Sequence, residues 1–178
     1  AMRLSEIAEN AKGSAIREMF DIALAVKDVI SFTVGEPDFV TPKPILEKVC
    51  EEWKKGYTHY TPNKGIIELR AAIADYHQKN LAPSVDTQIL VTCGATEALE
   101  LALFAIINPG DEVIIITPAW SNYFNQVAMC GGRAVTVPAH ESNGFIVDPE
   151  DVKAAITPKT KAIFLNSPSN PTGAVIDY

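Results

Sequence analysis

Several things are scarce in this sequence, and each shortage closes a class of protein. Three cysteines, Cys50, Cys93 and Cys130, are odd in number and lack C-x-x-C spacing. They offer neither a disulfide framework nor a zinc site, and reduced thiols in a cytoplasmic protein are the simplest reading. Positive charge is also short, with 15 Lys and Arg against 22 Asp and Glu and a net charge of -7. That balance leaves no basic footprint for a phosphate backbone, so nucleic acid is not an expected partner. Apolar runs are short too: none, the strand-sized Val113 to Ile116 included, approaches the roughly 20 residues of a membrane span. Glu6, Glu9 and Lys12 interrupt the N-terminal stretch, which does not suit a signal peptide. There is no internal repeat and no low-complexity segment. His59, His77 and His140 have no metal-ligand spacing, so no metal is expected.

What is present is apolar material for a packed core, 47% of 178 residues, enough for a domain of ordinary size. Residues 4 to 26 carry Ile7, Ile16, Met19, Phe20 and Leu24 at mostly helical spacing, with Gly13 as a candidate break. Ile30 to Val34 is a β-favouring run. Pro42 and Pro44 then hold the chain extended before a helix over Pro44 to Lys55, stopped by Gly56. A loop from Tyr57 to Lys64 and a helix over Ile66 to Asn80 come next. Beyond them the rhythm alternates: strands at Gln88–Thr92, Glu112–Thr117, Arg133–Val137 and Lys161–Asn166, and helices at Thr96–Ile107, Ser121–Cys130 and Pro149–Ile156. The strands are near-continuous apolar runs, the mark of strands covered on both faces. The fold class is therefore α/β with a mostly parallel sheet.

In such a sheet ligands bind beyond the carboxyl ends of the strands. Three strand exits are chemically unusual. Cys93-Gly94-Ala95-Thr96-Glu97 opens a helix with small residues and a hydroxyl, suited to an anion at the helix N-terminus, although Gly plus Thr before a helix is more often only a turn and an N-cap. Thr117-Pro118-Ala119-Trp120 offers either a core plug or a flat platform for a planar ring. Asn166 to Gly173 is a polar loop that also reads as a surface turn. Cys93 reads as a small core residue, and Glu97 and Glu100 as the solvated side of their helix. No G-x-G-x-x-G or P-loop pattern is present, which disfavours a nucleotide-binding domain. Taken together, an anion cradle, an aromatic platform and an amide donor describe a site for a flat, phosphorylated heteroaromatic.

Five runs in order carry a family resemblance: V-G-E-P-D-F at Val34–Phe39, Y-T-P-N-K-G at Tyr60–Gly65, G-A-T-E-A-L at Gly94–Leu99, N-P-G-D-E-V at Asn108–Val113 and S-N-P-T-G at Ser169–Gly173. Together they resemble the class I/II aminotransferases of pyridoxal phosphate (PLP) fold type I, of the aspartate and aromatic kind. The resemblance implies the N-terminal part of that fold, truncated before its later strands. Residues 1–43 would be an N-terminal arm and substrate-side loop. Residues 44–178 would be an incomplete large PLP-binding domain, without its C-terminal remainder and without the small domain. It implies pyridoxal 5'-phosphate as cofactor, with Ala95 and Thr96 on the phosphate, Trp120 stacked on the ring and Asn170 on the ring's phenolic oxygen. Gly35, Trp120 and Asn170 would face the substrate. Tyr60 would reach the phosphate in the neighbouring subunit of a homodimer, whereas Tyr123 stands where the family varies and is expected at most to back the site.

The same resemblance implies cis bonds at Thr117-Pro118 and Asn170-Pro171. It also implies that the Schiff-base lysine lies beyond Tyr178, so that no catalytic residue is present and the chain alone is inactive. The family's strand order predicts that the strands at 112, 133 and 161 pair together and that the strand at 88 is left without its usual neighbour. The expected activity is transfer of an amino group between an amino acid and a 2-oxo acid. The alternatives are another fold type I enzyme, such as a C–S lyase, or a PLP-binding regulator domain.

Overall fold

The computed structural model describes residues 3–10, 15–33, 35–78, 81, 83–84 and 88–177. In chain order its elements are helices α1 (Glu6–Asn10), α2 (Ala15–Ala25), α3 (Lys43–Lys54), α4 (Ile67–His77) and α5 (Gly94–Ile106). Then come strand β1 (Glu112–Thr117), helix α6 (Asn122–Met129), strand β2 (Arg133–Pro138), helix α7 (Pro149–Ala155) and strand β3 (Thr160–Phe164). The chain divides into two compact units, residues 1–33 with 99–178 and residues 34–98.

The first unit is organised by β1. Its run Val113-Ile114-Ile115 is fully buried, because β1 is the middle strand of a three-stranded sheet ordered β2-β1-β3 with both pairings parallel. Val113 and Ile115 join Leu103 and Ile107 from the α5 end and Val127 and Cys130 from the α6 end in one cluster. The four side chains with no exposed surface, Val113, Ile114, Ile115 and Val127, contribute on the order of 10 kcal/mol of burial before chain entropy is charged. Burial also pushes the Cys130 thiol above its ordinary value, with a smaller push from the Glu100 carboxylate.

Short local devices connect these elements. Helix α6 ends in a Schellman turn: Gly131, at φ +76°, lets its N–H reach Ala128 O while the Gly132 N–H reaches Val127 O, both at 2.9 Å. Helix α7 starts on Asp148, whose Oδ1 accepts the Glu150 N–H at 2.9 Å, with Pro149 in the first turn. At the amino ends of the strands, Glu112 is buried and accepts from the Arg133 guanidinium and, at 2.7 Å, from the Thr157 hydroxyl. One carboxylate thus ties β1 to the start of β2 and to the turn that leads into β3.

In the second unit, α3 carries a band of Lys–Glu pairs, among them Lys48–Glu52 at 2.6 Å, all open to solvent on at least one partner and so worth little. Its apolar residues Leu46, Val49 and Trp53 are exposed as well. The buried residues of this unit include Arg70 and Ala74 of α4 and Ile89.

Several expectations need correction. Gln88 to Thr92 is not a strand. Val91 N–H donates to Lys64 O at 3.1 Å, and among the described residues no neighbouring strand completes a ladder. The grouping of the strands at 112, 133 and 161 matches what the family's order implies. Residues 30–33 are likewise not strand, and Val34 lies outside the described residues, as do Gly13 and Asn80. Strand β3 closes at Phe164 rather than Asn166, and its Leu165 neighbour is exposed. Cys93 is exposed rather than a core residue, because it sits ahead of α5 at the helix mouth. Glu100 is half-buried rather than solvated. Thr117-Pro118 and Asn170-Pro171 are both cis, and so is Ser167-Pro168, which the motifs do not imply.

The Glu112 tie has a signed consequence for pH. Hydrogen bonding from Arg133 first, and from Thr157 second, holds the Glu112 carboxyl below its ordinary 4.5. A lowered carboxylate stabilises the fold above its unfolded value and loses that contribution as pH falls through the folded one. Acid unfolding followed by circular dichroism should therefore show the native chain losing stability below about pH 4.5. The Glu112→Gln variant should start less stable at pH 7 and lose less over the same acid range.

Candidate functional site

One group of candidate residues is built on two strand exits in the sheet-bearing unit. Strand β1 leaves through Thr117 and Pro118, and four residues later the chain turns into α6, so that Trp120 and Tyr123 lie three apart. The Tyr123 N–H donates to Trp120 O at 3.2 Å. Their rings meet edge to face, with centroids 5.3 Å apart and planes at 86°. Tyr123 in turn lies flat against Phe164, the last residue of β3, at 4.5 Å and 14°. Trp120 is half-buried, so it does not plug the core and part of its surface stays exposed.

The second exit comes after β3. Its polar loop is held by its own backbone and side chains: Ser169 N–H to Ala174 O and Gly173 N–H to Ser169 O, both 2.8 Å, and Ile176 N–H to Ser167 Oγ at 2.9 Å. With its amide turned to suit its neighbours, Asn166 accepts the Asn170 N–H at 2.9 Å and donates to Pro168 O at 3.3 Å. The backbone of Asn170 is thereby fixed while its side chain is exposed. Ala119, Tyr123, Asn166, Asn170 and Thr172 are among the residues lining a cleft at these exits. The cleft encloses about 30 Å³, room for one water. This volume is too small to enclose a planar ring.

The remaining candidates belong to the other unit. Gly94, at φ +81°, opens α5, and Thr92 Oγ1 donates to Gly94 O at 2.9 Å. The Glu97 carboxylate accepts the Cys93 N–H, which satisfies a donor just outside the helix and spends its charge there. Ala95 and Thr96 form the exposed first turn of this 13-residue helix, where amide N–H groups and the macrodipole favour an anion. Gly35 is exposed, with nothing within 4 Å of where a Cβ would stand. Tyr60 is fully exposed. Among the described residues no cluster of His, Cys, Asp and Glu could hold a metal, and no helix is long and apolar enough to cross a membrane.

Sequence reasoning missed Phe164 and Asn166 as parts of this arrangement. Asn166 was open to discovery as the first polar residue past the β3 apolar run. Phe164 was not, since its contact with Tyr123 requires the β1–β3 register, in which Phe164 pairs with Ile115.

Comparison with known proteins defines the class. Residues 27–178 match the model of the family "Aminotransferase class I and II", and the chain belongs to that PLP-dependent family. Its relatives include an aspartate aminotransferase of Pyrococcus abyssi, 44% identical over 98% of this chain and 46% of the relative. The aromatic-amino-acid aminotransferase 2 of Thermococcus litoralis is 40% identical, also over 98% of this chain and 46% of its own length. Among solved structures, the aspartate aminotransferase of Thermus thermophilus with maleate matches with a TM-score of 0.93 at 40% identity, over 98% of this chain and 47% of that one. The chain thus spans about half the length of these relatives.

The loop that carries Tyr60 ends at Gly65, whose φ of +91° and packing both exclude a side chain. A Cβ there would lie 2.6 Å from Val91 Cγ2 and 2.7 Å from Val91 Cβ. Gly65→Ala should cost about 2 kcal/mol from backbone strain plus overlap, read as a lower urea midpoint by circular dichroism. Adding Val91→Ala should restore part of the loss, because it removes the overlap and leaves the strain.

Proposed function

We propose that this chain supplies the cofactor-holding part of an aminotransferase that moves an amino group between an amino acid and a 2-oxo acid, with pyridoxal 5'-phosphate as cofactor. The observation that carries the reading is the pairing of an open aromatic face, Trp120, with an exposed amide, Asn170, at the exits of adjacent parallel strands in a chain of this family. The donor set suits the group: an apolar plane for the pyridine, an amide for the phenolic oxygen and a helix N-terminus for the phosphate dianion.

When bound, the cofactor supplies an electron sink for the bond broken at the amino acid's α carbon. Ala95 and Thr96 hold the phosphate through first-turn N–H groups and the Thr96 hydroxyl, where the α5 dipole adds favourable charge. Trp120 covers one face of the ring and keeps water from it. Asn170 donates its side-chain N–H to the phenolic oxygen and so favours the anionic form of that oxygen. The Gly35 N–H would serve the substrate carboxylate, and its lack of a side chain leaves room for a close approach. Tyr60, fully exposed in this chain, would lend its hydroxyl to the phosphate site of the second subunit of a homodimer. In domain terms we assign residues 1–43 to the arm and substrate-side loop and 44–178 to the large cofactor-binding domain. Three unpaired thiols support a cytoplasmic location.

None of the lysines in this sequence sits in the family's Schiff-base context, so these 178 residues should bind the cofactor without turning over substrate. Titration with pyridoxal 5'-phosphate, followed by quenching of tryptophan emission, should show saturable binding. Thr96→Ala should weaken it about tenfold, the loss of one charge-assisted hydrogen bond. Pyridoxal without its phosphate should bind more weakly and be indifferent to that substitution. Equal affinity of the native and Thr96→Ala chains for pyridoxal 5'-phosphate would overturn the phosphate assignment, and steady amino transfer by the native chain would overturn its inactivity.

A further inference from the structure

Trp120 makes the aromatic platform, but nothing in the backbone alone fixes the plane of its indole. A ring joined by two rotatable bonds needs a neighbour of matching shape if it is to present one face. Tyr123 is that neighbour. It stands edge-on to Trp120, at 5.3 Å and 86°, and face-on to Phe164, at 4.5 Å and 14°. It also lines the cleft with Asn166 and Asn170. Phe164 is the last residue of β3 and is paired in register with Ile115, whose side chain is fully buried. A chain of contacts thus runs from the core through Phe164 and Tyr123 to Trp120.

We propose that Tyr123 is a positioning residue for the Trp120 platform: wedged between Trp120 and Phe164, it sets the indole plane and references it to β3, the strand that also launches the Asn170 loop. This proposal rests on the cofactor reading above, in which Trp120 covers the ring. The role belongs to the ring of Tyr123 and not to its hydroxyl, since both aromatic contacts are made by the ring. A phenylalanine therefore preserves it and an aliphatic residue of similar bulk does not. The order of the contacts adds a second consequence. Removing the Phe164 ring should loosen Trp120 even though the ring contact between them passes through Tyr123.

The test uses the whole chain carrying Trp53→Phe, in which Trp120 is the only tryptophan. Without cofactor, Tyr123→Leu should lower the emission anisotropy of Trp120 and raise its quenching by acrylamide, and Tyr123→Phe should leave both as in the parent. With pyridoxal 5'-phosphate added, Tyr123→Leu should bind about three- to tenfold more weakly, the range of one aromatic pair, and Tyr123→Phe should bind as the parent does. Far-UV circular dichroism separates this from general unfolding. If Tyr123→Leu loses secondary structure, Phe164→Leu is read in its place and should give the same loosening of Trp120. Parent-like anisotropy and quenching in a folded Tyr123→Leu or Phe164→Leu chain would overturn the proposal. So would a Tyr123→Phe chain that behaves like Tyr123→Leu. Loosening of Trp120 in a chain that binds no cofactor in any variant would instead overturn the cofactor reading and leave the ring packing standing.

Discussion

Everything in the sheet-bearing unit depends on the burial of β1. A strand whose Val113, Ile114 and Ile115 are all fully buried can exist only between two other strands and with both faces covered. That requirement recruits β2 on one side and β3 on the other, and it recruits Leu103, Ile107 and Val127 against one face. Parallel pairing then puts all three carboxyl ends on one edge. Trp120 and the Asn170 loop stand at that edge because they come directly after β1 and β3 in the chain. At the opposite edge the Glu112 carboxylate gathers the starts of the same strands. The chemistry of the exits and the ion pair at the entries are two ends of one constraint.

The same constraint decides which parts of the fold are legible in the sequence. An apolar run such as Val113–Ile116 announces its own burial, so β1, β2 and the helix between them can be read almost to the residue. Gln88 to Thr92 carries a similar local signal in Ile89, Leu90 and Val91, yet it forms no strand. A strand is a relation between two segments, and periodicity reports only one of them. What survives of the signal is burial without pairing: Ile89 is buried while Leu90 is 52% exposed. Cys93 and Glu100 depart from expectation for a related reason. Residue type alone argues for one environment in each case, and the outcome is decided by where the helix they flank or occupy begins and what packs beside it.

The candidate site is legible to the extent that it depends on position along the chain. Residues just after a strand in a parallel sheet can be nominated without coordinates, which is how Trp120 and the loop that carries Asn170 become candidates, as Ala95 and Thr96 do at the opening of a helix. The supporting residues are not, because their roles depend on register. Phe164 matters through its contact with Tyr123, which depends on the pairing of Phe164 with Ile115, and no spacing in the sequence encodes that. Asn166 matters through two bonds to the loop it precedes, a closure visible only once the loop has turned back.

The two groups proposed to meet the ring are held by different physics, and this bears on how the site can vary. Asn170 sits in a loop closed by directional hydrogen bonds among Asn166, Ser169, Ser167 and Ala174. Such a closure tolerates few substitutions, since each buried or half-buried partner left alone costs its desolvation. Trp120 is held by packing of ring on ring, which is non-directional enough to accept another aromatic and still depends on shape. A polar contact that must meet one oxygen of a ligand benefits from the stiff arrangement. A platform that must only present a flat face benefits from the adaptable one. Change within this architecture therefore falls first on the residues beneath the platform, where the cost is graded, and last on the loop that holds Asn170, where it is abrupt.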